Sequence, residues 1–163
     1  MTVAFISARA RRTGVALGAV SAGLLVLSAC DKPTPVATVT VGTDSVHSEA
    51  ACYNHGKSLG EQSVLAKCLN DTSGRKTISV SLDDRIHFGV DPAIADNGWT
   101  FYIDGQRVEP EPNKDTYRTI QASSFFASQT GELIKSVDLG IVETSEKEKA
   151  VTGVWNFELK KKS

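Results

Sequence analysis

The sequence predicts a mainly all-β chain, an immunoglobulin-like β-sandwich with one short helix in a disulfide-closed segment. Three observations carry this. Apolar residues recur at period two through most of the chain after residue 35. Turn signals separate these runs at roughly ten-residue spacing. Composition is ordinary for a globular domain, with 40% hydrophobic, 7% aromatic and 23% charged residues, which excludes collagen-like, coiled-coil and disordered chains. A Greek-key or small-barrel arrangement is the alternative, because strand order is not readable from alternation.

The first run is Val36 to Val41, ended by Gly42. Thr77 to Leu82 places Ile78, Val80 and Leu82 on one face. In Ile86 to Val90 the apolar residues share a face and His87 takes the other. Trp99, Phe101 and Ile103 alternate with Thr100 and Tyr102, so Tyr102 should point away from the tryptophan row. Asp104-Gly105 follows, a two-residue hairpin turn, and Gln106 to Val108 returns. Later strands are expected at Tyr117 to Ile120, Ile134 to Val142 and Gly153 to Leu159. Phe125 and Phe126, if in a strand, face opposite ways, which would expose one of them.

One helix is predicted. Ser58-Leu59-Gly60-Glu61 has the form of a capping box, with Ser58 as N-cap. Leu65, Cys68 and Leu69 then share a face, and Gly60 weakens the helix by roughly 1 kcal/mol relative to alanine.

The first 29 residues read as an address. Arg9, Arg11 and Arg12 are the only charges before Asp31, so the chain from Cys30 onward carries −4 against −1 for the whole. Val15 to Leu27 is an apolar run, shorter than the ~20 residues a spanning helix needs. Leu27-Ser28-Ala29-Cys30 has the pattern of a bacterial lipobox. The expectation is a lipoprotein signal peptide over 1–29, a lipidated Cys30 with a polar, proline-broken tether over 30–35, and a β-sandwich domain over 36–163. Two acyl chains on Cys30 would anchor the protein where one is marginal, and the domain would face outward from the cell membrane. Cys52 and Cys68 remain, in a compartment that permits disulfides, and are expected to pair.

Several fragments imitate catalytic motifs. Ala51 to Ser58 ends like a phosphate-binding loop, but Ala51 stands where the first glycine must let backbone amides wrap a phosphate. Ser73-Gly74-Arg75-Lys76 matches S-x-x-K, without the S-D-N and K-T-G elements that the chemistry also requires. His47, His55 and His87 lack metal-ligand spacing, so no metal or cofactor is expected. There is no G-x-S-x-G elbow, and Asp83-Asp84 suits a hairpin turn. The acidic balance argues against nucleic acid as a partner, and Lys160 to Lys162 reads as a solvated tail.

The whole chain, including most of its mature part, resembles an uncharacterised family of actinobacterial lipoproteins with a strand-rich extracytoplasmic domain of unknown function. The residues that carry this are Leu27-Ser28-Ala29-Cys30-Asp31, the Cys52 and Cys68 pair, Gly89-Val90-Asp91-Pro92, Gly98-Trp99 with Asp104-Gly105-Gln106, Tyr117-Arg118-Thr119 with Phe125-Phe126, and Gly153 to Leu159. The resemblance implies a lipid-anchored extracytoplasmic domain and transfers no activity. The leading functional expectation is a non-enzymatic binding module that holds an unknown envelope protein or ligand by its sandwich loops or an edge strand. The alternatives are a small envelope hydrolase, a protease-inhibitor-like domain using Asp91 to Asn97 or Glu109 to Asp115 as protruding loops, and a ligand carrier.

Overall fold

The computed structural model describes residues 33–127, 133–147 and 149–162. Two sheets form a sandwich. The first runs β2-β1-β5-β8, with β1 Ala37–Val41, β2 Asp44–Ser48, β5 Arg85–Val90 and β8 Tyr117–Gln121, all antiparallel. The second runs β3-β10-β9-β6-β7, with β3 Cys52–Tyr53, β6 Trp99–Ile103, β7 Gln106–Arg107, β9 Ser136–Ser145 and β10 Ala150–Lys161. β10 is long enough to hold β3 at Gly153–Val154 and, further along the same edge, β4 Lys76–Val80 in parallel. The expected immunoglobulin-like sandwich is therefore what the chain builds.

Alternation explains the core. Ala37, Val39 and Val41 of β1 are buried against Ile86, Phe88 and Val90 of β5 on the inner face of the first sheet. From the second sheet come Trp99 and Phe101, Val137, Leu139 and Ile141, and Trp155, Phe157 and Leu159. Each buried ring of this size removes 150–250 Å² from water, so the aromatics dominate the burial (about 25 cal/mol per Å²). Phe88 and Phe101 meet edge-on across the sandwich at 4.7 Å between centroids. Both indole N–H groups are satisfied. Trp99 Nε1 donates to the Asp115 carbonyl at 2.9 Å and Trp155 Nε1 to the Pro35 carbonyl at 2.8 Å. The latter bond fixes the last residue of the expected tether onto the sandwich.

The outer face of the second sheet carries helix α1, Gln62–Leu69. Leu65 and Cys68 pack on Val142 and Val154 in a smaller cluster, which Leu69 and Tyr102 border. Tyr102 thus faces away from the tryptophan row, as alternation requires. Cys68 is bonded to Cys52, with Cα atoms 5.7 Å apart and a sequence separation of 16. Closing such a loop stabilises by about 3 kcal/mol, chiefly by restricting the unfolded chain. Buried Asn156 donates to the carbonyls of Cys68 at 2.7 Å and Asp71 at 2.9 Å, satisfying the C-terminal end of α1 from the sheet below.

Four expectations need correction. The helix begins at Gln62, with Glu61 as a cap that makes no side-chain bond. Ser58 Oγ instead accepts from the Gly60 amide at 3.1 Å, and Gly60 lies outside the helix at φ +99°, so it costs the helix nothing. Asp91 to Asn97 is not a protruding loop. It holds helix α2, Pro92–Asn97, with proline in the first turn and Ile94 and Ala95 buried. Phe125 and Phe126 lie in helix α3, Ser123–Phe126, rather than a strand, and both are buried. β2 and β3 were not expected at all. The expected hairpin at Asp104-Gly105 is present, with both residues at positive φ (47° and 77°), as a type I′ turn requires.

Candidate interaction site

The sandwich is closed along one side and ajar along the other. At the closed side β2 lies against β4. At the other side, between β8 and the β6–β7 hairpin, a cleft of about 210 Å³ runs into the core. Ile103, Val108, Ile120 and Phe125 line it, and Phe101 forms its floor with Arg118 above. Val108 is 50% exposed. The other exposed large hydrophobic side chains among the described residues are Tyr117, on the outer face of the same edge strand, and Leu133, which follows α3 and lines neither hollow. Tyr117 begins β8, and Leu133 bridges to Ala127 at the end of α3.

Arg118 is the cationic member of the cleft, and Glu109 lines it too. Arg118 is the one that reaches in from β8. It points inward from an edge strand and makes two hydrogen bonds of 2.5 Å to the Glu109 carboxylate. The fork geometry of guanidinium and carboxylate gives this pair direction as well as charge. The bonds from Glu109, and secondarily its charge, outweigh partial burial and push the Arg118 pKa up. The guanidinium carbon also sits 5.6 Å from the Phe101 ring centroid.

The Glu109 to Asp115 segment is held in place rather than free to swing. Val108 N donates to Phe101 O at 3.0 Å, and Trp99 and Asn113 exchange both backbone bonds at 2.9 and 2.7 Å. Arg107 donates to the Pro110 carbonyl at 2.7 Å. Pro110 and Pro112 restrict the backbone between these anchors. Glu109, Glu111, Asp115 and Arg118 line an open hollow of about 450 Å³ that adjoins the cleft through Glu109 and Arg118.

On the outer face of the same edge, His87 and Tyr117 stack with ring centroids 5.6 Å apart and planes 16° from parallel. His87 Nδ1 is within hydrogen-bond reach of the Tyr117 hydroxyl and lies 2.9 Å from Thr119 Oγ1. The three histidines stand on separate elements, His47 on β2, His55 in the turn after β3 and His87 on β5. Among the described residues no group of three His, Cys, Asp or Glu side chains could hold a metal ion. Cys52 and Cys68 are joined as expected, whereas Cys30 lies outside the described residues.

Sequence reasoning missed one buried acid. Glu143 is fully buried on the inner face, in register with Val137, Leu139 and Ile141. Asn97 Nδ2 donates to its Oε1 at 2.6 Å, while Oε2 has no partner of good geometry among the described residues. Burial pushes its pKa up, against the pull of Asn97 and Thr152. The charge on Glu143 joins burial in raising the Tyr53 pKa.

No protein-family model matches the chain, and no curated protein matches it. Among solved structures, fibronectin(III)-like modules of Clostridium thermocellum CbhA align at 8% identity with a TM-score of 0.37, over 56% of this chain and 92% of theirs.

Proposed function

We propose that this protein is a membrane-anchored, non-enzymatic binding module on the extracytoplasmic face of a bacterial membrane, with the β8 edge and its cleft as the recognition surface. The observation that carries the reading is the apolar cleft between β8 and the β6–β7 hairpin, with half-exposed Val108 at its mouth, beside an edge strand that pairs on one side only among the described residues. The lipobox pattern ending at Cys30 supports the anchor, and the Cys52–Cys68 disulfide suits an oxidising compartment. The partner is an envelope protein or ligand.

The anchor is tested by labelling cells with radioactive palmitate and fractionating them, for the natural chain and for Cys30→Ser. The expected result is label and membrane association for the first and neither for the second. A Cys30→Ser protein that stays in the membrane fraction sinks the anchor.

A further inference from the structure

Resting on the reading of the β8 edge as the recognition surface, we infer that its occupant is an extended polypeptide segment. It adds to β8 as a further strand and carries an apolar residue and a lysine or arginine two positions apart.

The backbone of β8 decides what the edge offers. Val90 N donates to Thr116 O at 2.9 Å and Ala122 N to Asp84 O at 2.9 Å, one before and one after the strand. Antiparallel pairing alternates, so Thr116, Arg118, Ile120 and Ala122 aim their N–H and C=O groups at β5. Tyr117, Thr119 and Gln121 therefore aim theirs away from β5. β5 is the only strand that pairs with β8 among the described residues. The edge thus presents a row of backbone donors and acceptors at every second residue, which is what an added strand uses.

Side chains set the sequence of that strand. Those of Arg118 and Ile120 line the cleft, and Tyr117, Thr119 and Gln121 are exposed on the other face. A residue of the added strand opposite Ile120 enters the cleft beside Ile103, Val108 and Phe125, where an aliphatic side chain fits. The residue opposite Arg118 is two positions along on the same face. It reaches the neighbouring hollow, where Glu109, Glu111 and Asp115 outnumber the single Arg118. A cation is complementary there, and a carboxylate is repelled.

Arg118 also guards the edge against indiscriminate pairing. A charge pointing inward from an edge strand discourages random strand addition. Glu109 satisfies that charge without filling the apolar part of the cleft. Addition is then favourable only for a segment that fills the cleft and complements the acidic hollow.

The test pans two seven-residue display libraries against the full chain in detergent micelles. In one, a variable apolar residue and Lys or Arg stand two apart; in the other, Asp or Glu replaces the base. The expected result is enrichment from the basic library only. Added as a free peptide, a selected binder should slow amide exchange at Tyr117, Thr119 and Gln121 at least tenfold. N-methylating one alternate set of peptide amides should weaken binding tenfold or more, and methylating the other set should not. Thr119→Pro removes an outward N–H that β5 does not use and an exposed contact to His87, so the variant should lose binding while its unfolding midpoint stays close to that of Thr119→Val, which loses only the contact.

Equal enrichment from the two libraries, no enrichment, or binding indifferent to both methylation patterns overturns the inference. Those peptide readouts leave the anchored-module reading standing, and so does capture of a lipid or glycan at this cleft. Capture of a lipid or glycan there in place of a peptide likewise overturns the inference.

Discussion

Asn97 holds Glu143 by a 2.6 Å hydrogen bond to one carboxylate oxygen, and the other oxygen has no well-formed hydrogen bond among the described residues. Burial raises the pKa of this acid in the folded state. A raised folded pKa means that the native state binds a proton more tightly than the unfolded chain. The stabilisation is complete below the ordinary glutamate pKa and is lost as pH rises through the folded value. Thermal unfolding followed from pH 4 to pH 8 should show this loss on the alkaline side. Glu143→Gln keeps the acceptor for Asn97 and removes the charge. It should flatten that pH dependence and raise stability at pH 7 by about 1–3 kcal/mol, the usual cost of an unsatisfied buried group.

Asn156 ties α1 to β10 through two carbonyls. Asn156→Leu leaves both without that donor, at an expected cost of about 1–3 kcal/mol. Urea unfolding should show the loss as a lower midpoint with an unchanged slope.

Two glycines separate rigid from yielding neighbours. A Cβ on Gly153 would lie 2.5 Å from the Trp155 ring, which is buried and bonded to Pro35. A Cβ on Gly140 would lie 2.6 Å from Leu69 Cδ2, the end of a side chain at the half-buried margin of α1. Gly153→Ala should therefore destabilise by about 1–3 kcal/mol, as overpacked cores do. Gly140→Ala should cost clearly less in the same calorimetric measurement.

Replacing Cys52 and Cys68 together by serine removes the closure of the 16-residue separation. Stability should fall by about 3 kcal/mol. Because α1 docks on a cluster that includes both cysteines, amide exchange in Gln62–Leu69 should quicken more than in β9.

Alternation made most strands legible, because one face of each is buried against the other sheet. It failed where burial does not alternate. β2 is exposed at three of its five positions and is set by register with β1 rather than by its own pattern. Phe125 and Phe126 would face opposite ways in a strand, but α3 turns both into the core, which tertiary packing decides and local spacing does not. The disulfide followed from the expected export and from cysteine parity. The cleft had no signal in the sequence, because Phe101, Val108 and Ile120 come from separate elements and meet only where the two sheets fail to close. Glu143 was hidden for a related reason: a charge in an inner-facing position breaks the pattern by which such positions are recognised.

The central claim is that the β8 edge is where this protein meets its partner. The most direct test places a photo-cross-linking residue at Val108, at Tyr117 and, as a control on the far sheet, at Lys67 of α1, and irradiates intact cells. The account predicts a discrete adduct from Val108 and Tyr117 and none from Lys67. No adduct at the edge, or the same adducts from all three positions, would contradict it.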